Sequence, residues 1–544
     1  MRIYIIFITY ALIFINVSNL FSQHINYPLG FNYNIVISKE INKSENNIHS
    51  AFKPLRKYYI DTLTKADSVV YQINFNKNLI KKMPLKWAWR KLLDEDFIKL
   101  ETKDLQFYVN PLLDYHIGNL KDDTTKYLQN TRGFQVFGNI GDKLSFYSDF
   151  FENQAFFIPY INNKIEQSLV VPGQGAWKVF QTTGRDYAMA SGYLSFTPAK
   201  FLNIQFGHGK HFIGEGYRSL LLSDNAFNYP FIKVEFTWRN FKYSSMFTEF
   251  NDFYTKYYLY HYKKHGTFNY LSFTPNHRIE IGLYEAIIWK TSDDSTYVKK
   301  FPVSYFNPII LTRLFQYGLN NENNMLLGLN LKIKPSKYTQ IYAQYILDNI
   351  NIKDFTDKTG SFENKFGYQI GAKVFDIFHG YLKKQSLYLH AEYNYVRPYT
   401  YSNTNVRQAF THYNQELAHP LGSGFKEAVF IVNYSVYNFY FQFKFNSAIT
   451  STDTSATNFG TDIFKSNNFE LYNINLSNNE IGQGNLTNIK SQNITFGYIF
   501  NHRTYLQIFG SILKRNFKST NDENNIYFVT FGLKTSISNF YYDF

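Results

Sequence analysis

From Ile232 to Arg239 the chain reads Ile-Lys-Val-Glu-Phe-Thr-Trp-Arg, with an apolar residue at every second position. The alternation returns at Leu387, Leu389, Ala391, Tyr393 and Tyr395, set against Tyr388, His390, Glu392 and Asn394. It returns again at Phe439, Phe441, Phe443 and Phe445, set against Tyr440, Gln442, Lys444 and Asn446. Successive side chains of a β-strand point to opposite faces, so each segment has one apolar face and one face of charges and amides. Such strands can pack as a soluble sandwich or close into a membrane barrel. Three features select the barrel. The segments cluster near the ~9–11 residues that a tilted strand needs to cross a bilayer. Tyr, Phe and Trp crowd the segment ends, where aromatic girdles meet the membrane interfaces. Only helices and closed barrels satisfy every backbone group in lipid, and beyond residue 23 no stretch reaches the ~18 apolar residues of a helical span. The composition agrees: aromatics make up 20% of the 544 residues, yet mean hydropathy is −0.33, as expected of strands that face two solvents.

The first residues, MRIYIIFITYALIFINVSNLFSQ, have the form of a secretory signal peptide. Arg2 is the charged start, Ile3 to Val17 the apolar core, and cleavage is expected after Ser22 or Gln23. The chain has no cysteine, which excludes disulfides, thiolate metal sites, a thiol nucleophile and a lipoprotein anchor. A formal charge of +14 could serve nucleic acid, anionic lipid or anionic glycan. The Lys and Arg residues are scattered without a dense run, and nucleic acid is not an expected partner.

Three regions follow: a signal peptide over 1–23, a periplasmic segment with one or two helices over 24–104, and a barrel over 105–544. In the second, Pro84 to Leu100 carries Trp87, Leu92, Leu93 and Phe97 at helical spacing. The fold class is all-β, an antiparallel outer-membrane barrel of about 16–18 strands, since bacterial barrels use even numbers. Gly141-Asp142 and Thr274 to Arg278 read as tight periplasmic turns. Polar stretches at 154–184, 290–322, 399–425 and 451–490 read as surface loops. The last alternating strand is expected to stop near Ser538. Phe540, Tyr542 and Phe544 then share a face, like the aromatic signal read by outer-membrane assembly machinery. Phe441 and Phe443 are expected to face lipid, and Lys444 to tolerate substitution in the lumen.

The most polar motif is FGHGKHFIGEGYRSLLLSDNAFNYPF, Phe206 to Phe231. It lacks the GxxxxGK[ST] of a phosphate loop, because His211 follows Lys210, and it lacks the third glycine of a dinucleotide fingerprint. A metal on His208, His211 and Glu215 would need a helix that the nearby glycines oppose. What remains is a strand running into a glycine-rich bend that carries Lys210, Glu215, Arg218 and Asp224 into the barrel. That bend is either a structural plug of ion pairs or a polar recess for a glycan, with Tyr217 and Tyr229 as faces for sugar rings. No G-x-S-x-G nucleophile elbow occurs, and neither a cofactor nor enzymatic activity is expected.

Four stretches in order resemble the Wzi-like capsule-assembly barrels of the outer membrane, over most of the chain from about residue 85. In the first, Gly214, Gly216, Ser219, Leu220, Leu222, Ser223, Asn225, Ala226 and Pro230 fit that family's signature. YFNPIILTRLFQYGLNNENNMLLGLNL, Tyr305 to Leu331, resembles its arginine-led stretch, which here holds Arg313. YNQELAHPLGSGFKE, Tyr413 to Glu427, resembles the AHPLGANFxE segment of a Bacteroidetes branch that includes the gliding protein RemB; Ser423-Gly424 stands where that pattern has Ala-Asn. WRKLLDEDFIKL and YVNPLLD resemble the same branch's entry region. The resemblance implies an outer-membrane barrel that binds or organises surface polysaccharide or lipopolysaccharide, or supports gliding with a motility or secretion partner. A porin-like channel is the alternative. The candidate lumen residues are His208, Lys210, His211, Glu215, Tyr217, Arg218, Ser223, Asp224, Asn225, Arg313 and His419.

Overall fold

The computed structural model describes residues 25–64, 86–121, 123, 125–253, 261–290, 309–312, 323–377, 385–470 and 473–544. The signal-peptide reading and Arg313 lie outside them. Among the described residues, eighteen antiparallel strands close into one barrel. They are β1 (Leu105–Leu120), β2 (Lys126–Ile140), β3 (Leu144–Phe156), β4 (Gly184–Ala199), β5 (Leu202–Gly209), β6 (Tyr229–Trp238), β7 (Phe241–Phe253), β8 (His261–Asn276) and β9 (Ile279–Lys290). The second half is β10 (Asn324–Ser336), β11 (Thr339–Asn349), β12 (Lys365–Phe375), β13 (Gln385–Val396), β14 (Phe425–Val436), β15 (Phe439–Thr452), β16 (Asn485–Asn501), β17 (Leu506–Ser519) and β18 (Glu523–Lys534). Each strand pairs with its sequence neighbours, and a seam from Phe528↔Leu120 to Lys534↔Asp114 shuts the ring. Links such as 141–143, 277–278 and 337–338 lie at one end, and the long ones, 157–183, 397–424 and 453–484, at the other. Outer-membrane barrels put short turns in the periplasm and long loops outside the cell, which orients the molecule.

The alternation decides which face is which. Phe439 (63%), Phe206 (60%) and Phe531 (56%) are exposed, whereas Lys233 (0%), Glu392 (4%) and Glu427 (1%) are buried. Aromatics outside and charges inside invert the soluble pattern, and only a lipid surroundings makes that arrangement favourable.

The interior is packed rather than empty. Residues 25–64, assigned from sequence to the periplasm, lie in the lumen. Helix α1 (Phe31–Lys43) buries Tyr33, Ile37 and Ile41, spaced four apart on one face, against Ile48, Leu55, Ile60 and Tyr505. His49 Nδ1 lies 2.7 Å from Ser272 Oγ on β8, and Lys332 on β10 reaches Ser50 Oγ at 2.5 Å. The loop 210–228 folds inward, and its Phe212 and Ile213 pair with Phe52 and Lys53.

Residues 535–544 complete the filling and correct the sequence reading of the last strand. β18 ends at Lys534, not Ser538. The lower half of β1 is already paired, Ile98↔Val109 to Glu101↔Gln106, so the chain finds no free edge to extend along. It turns inward instead. Asn539 accepts the Phe31 amide at 2.9 Å, Tyr541 donates to Asp224 at 2.8 Å, and Phe544 reaches the extracellular half.

Candidate functional site

The glycine-rich bend is a structural clasp, and its geometry explains its composition. Gly214 has φ +135°, and a Cβ there would sit 2.2 Å from Gln344 Nε2 on β11. A Cβ on Gly216 would meet Glu392 Oε2 at 2.4 Å. Glycine is what lets this backbone lie against the wall. There the Tyr217 and Arg218 amides donate to Glu392 at 2.8 and 3.1 Å. Leu220, Leu221 and Leu222 enter the main apolar cluster with Tyr284 and Phe410.

The charged residues of the bend are used on one another. Arg218 Nη2 donates to Glu427 at 3.1 Å and to Asp543 at 3.0 Å, and its guanidinium lies 5.1 Å from the Tyr541 ring. Burial opposes its charge, but Asp543 and Glu427 outweigh burial and push its pKa well above the ordinary value. Lys444 holds the other Asp543 oxygen at 2.8 Å and donates to Tyr217 at 3.0 Å. His419 meets Glu427 at 2.7 Å and stacks on Phe425. Glu215 bonds Ser50 and faces Lys53 and Lys332; burial favours its neutral form, yet the two lysines draw it down to about 2. Lys210 donates to the carbonyls of Gly173 (2.6 Å) and Asp224 (3.1 Å), and burial lowers it to about 8. Ser223 accepts the Asn225 amide, and Asn225 donates to the Glu416 carbonyl at 3.0 Å.

The two histidines of the motif part company. His211 is fully buried among Phe231, Tyr229 and Phe52, and burial holds it well below its ordinary pKa. His208 is half-buried near the end of β5, its ring 6.0 Å from Phe227 and its Nδ1 3.3 Å from the Ala190 carbonyl oxygen. Among the described residues no three His, Asp or Glu side chains converge as metal ligands. Glu215, Tyr217 and Asp224 line a void of only about 30 Å³, the room of one or two waters.

Open space lies above this plug. A cavity of about 2090 Å³ faces the extracellular end. None of the described motif residues lines it. Its wall comes from helix α2 (Pro159–Ser168), from residues 403–408 and from residues 450–469. Pro159 opens that helix at a position that needs no amide donor, and Ile161 and Ile165 seat it on Tyr187 and Trp177. On the floor Arg515 lies 4.2 Å over the Tyr160 ring and donates to the Phe544 backbone oxygen at 2.9 Å, while Tyr160 donates to the Tyr542 carbonyl at 2.5 Å. Asn163, Asn403, Asn405, Thr454 and Asn473 bring amides and a hydroxyl to the wall, all but Asn163 also bonded within the loops, and Phe469, 57% exposed, offers a ring face. Sequence reading placed these stretches in polar surface loops but gave no sign that they converge.

No family model and no curated protein matches the chain. Solved structures do. The architecture is similar to that of Wzi, an outer-membrane protein involved in group 1 capsule assembly in Escherichia coli and described as a carbohydrate-binding β-barrel. The two are 12% identical, over 94% of this chain and 100% of that one, with a TM-score of 0.54. The protein is an outer-membrane β-barrel. OprD of Pseudomonas aeruginosa (11% identity, 78% of this chain and 94% of that one, TM-score 0.40) and a BenF-like porin of Pseudomonas fluorescens (8%, 80% and 99%, 0.42) are also similar. The gliding and machinery-partner expectations rest on the sequence motifs alone.

Proposed function

We propose that the barrel holds surface polysaccharide at the extracellular face of the outer membrane, without catalysing a reaction. The observation that carries this reading is the 2090 Å³ vestibule, where amides, hydroxyls and aromatic rings line the wall beside charged groups such as Lys164, Asp453, Lys465 and Arg515. Ligand sites combine apolar faces with placed polar and charged groups that fix orientation. The Wzi likeness supports the same direction, since that protein is a carbohydrate-binding barrel of the same architecture. A solute channel is disfavoured by the ion-paired filling beneath the vestibule.

The test is binding of the purified barrel in detergent to polysaccharide from its own cell surface. Phe469→Ala with Asn163→Ala, both in the vestibule wall, is expected to weaken binding. Lys210→Ala, beneath it, is expected to leave affinity unchanged in protein that still folds. Loss of binding in Lys210→Ala alone would return the glycan site to the bend, and no binding by any form would overturn the reading.

A further inference from the structure

We propose that residues 86–100 form an interfacial foot lying in the periplasmic leaflet of the membrane, with anionic phospholipid as its partner. The foot begins with the helix Lys86–Leu93 and ends in the short strand Ile98–Glu101. No residue of that helix is buried. Trp87 (66%), Leu92, Phe97, Ile98 and Leu100 are all large, apolar and exposed. Five such residues in fourteen positions leave more apolar surface exposed than water alone would cover at equilibrium.

What covers the patch follows from where it is clasped. Asn501, at the periplasmic end of β16, donates to the carbonyls of Lys91 (3.3 Å) and Glu95 (3.0 Å). Asn110 on β1 donates to Asp96 at 2.8 Å and accepts the Phe97 amide at 2.8 Å. These bonds fix the foot against the lower rim of the wall. The strand pairing then sets its facing. Ile98 and Leu100 pair with Val109 and Phe107 and share their outward register, whereas Lys99 and Glu101 turn with Tyr108 toward the inside. The apolar patch is therefore continuous with the lipid-facing surface of β1, where Tyr115 and Ile117 are exposed farther up. Lys86 and Arg90 stand exposed on the same helix, Arg90 also pairing with Glu95 at 3.3 Å, and supply the positive charge for phosphate headgroups. A basic, tryptophan-bearing amphipathic helix is the form that lies in a membrane interface, and anionic lipid strengthens its hold.

The test uses the full chain carrying Trp177→Phe, Trp238→Phe and Trp289→Phe, which keeps only Trp87 and Trp89 as tryptophans. It is reconstituted into vesicles of phosphatidylethanolamine with phosphatidylglycerol, a fraction of it brominated at a shallow acyl carbon. The expected result is blue-shifted emission, strongly quenched by the brominated lipid and shielded from aqueous iodide. A second form adding Leu92→Asp and Leu100→Asp, and still showing the heat-modifiable migration of a folded barrel, is expected to lose both effects. Emission that iodide quenches fully and brominated lipid does not would overturn the proposal. So would quenching that is the same in vesicles of phosphatidylethanolamine alone and survives Lys86→Gln with Arg90→Gln unchanged, since the anionic headgroup would then have no role.

Discussion

Arg218 sits where three distant parts of the chain meet: its own loop, β14 through Glu427, and Asp543 of the inserted segment. Removing one partner of a buried ion pair leaves the others charged and dry, at a cost of about 3–5 kcal/mol. Arg218→Ala is expected to destabilise the folded barrel by that amount in denaturant unfolding from detergent. A loss near the ~0.5 kcal/mol typical of surface sites would show that the cluster does not hold the fold. Phe441, 41% exposed on the outward face of β15, tests the other side of the wall. Phe441→Arg is expected to cost about 2–4 kcal/mol if it lies near the bilayer midplane. Lys444 bonds both Asp543 and Tyr217, partners that sequence did not reveal. Lys444→Asp, which sets two carboxylates together, is expected to lower stability at least as much as Phe441→Arg in the same assay.

At the scale of elements, the contacts of residues 25–64 with the wall and with the inward bend are sensitive to acid. His49 is lowered from 6.5 to about 4, chiefly by burial. Glu215 is lowered from 4.5 to about 2 by its lysines, against the effect of burial. Unfolding returns both to ordinary values, so the unfolded chain binds a proton that the folded one refuses. Stability should fall as pH drops from 6.5 to about 4 through His49, and again from 4.5 to about 2 through Glu215. The thermal midpoint followed against pH is expected to show both declines, and His49→Asn to remove the upper one. A midpoint flat from pH 6.5 to 3 would mean that neither group is held as the structure places it. The wall elements were legible in sequence because a strand's period of two is local, and Tyr388, His390, Glu392 and Asn394 all turn inward as their alternation requires. The filling was not. An amphipathic helix such as Phe31–Lys43 looks the same whether its apolar face meets a periplasmic neighbour or a lumen. Residues 535–538 continue the strand alternation, yet the chain leaves the wall where Ile98–Glu101 already occupies the edge it would need.

For the whole molecule, the interior filling bears on permeability. Three segments, 25–64, 210–228 and 535–544, cross-link through Phe52↔Ile213, Tyr541 to Asp224 and the Phe31 amide to Asn539. The intact barrel is expected to show no conductance above background in planar bilayers, and a form lacking 535–544 to open measurable current. High steady conductance of the intact protein would instead favour a channel. Sequence reading put the bend at 206–231 inside a barrel, but whether it was filling or binding surface depended on partners such as Glu427 and Asp543, 209 and 325 residues away in sequence. The vestibule escaped reading for the same reason, since its rim joins residues 159–168 to 403–408 and 450–469.

The seam gives the order in which this molecule can be made. It joins Lys534 to Asp114, and residues 535–544 pass from that junction straight into the interior. A ring already zipped along β1 and β18 would have to admit those ten residues through a space filled by helix and loop. Insertion of the segment is therefore expected to accompany closure of the ring. Contacts between residues more than 400 apart are slow to form because a long loop must first be closed. Until then the nascent wall is an open sheet with two free edges, and the assembly machinery must hold those edges apart from other strands.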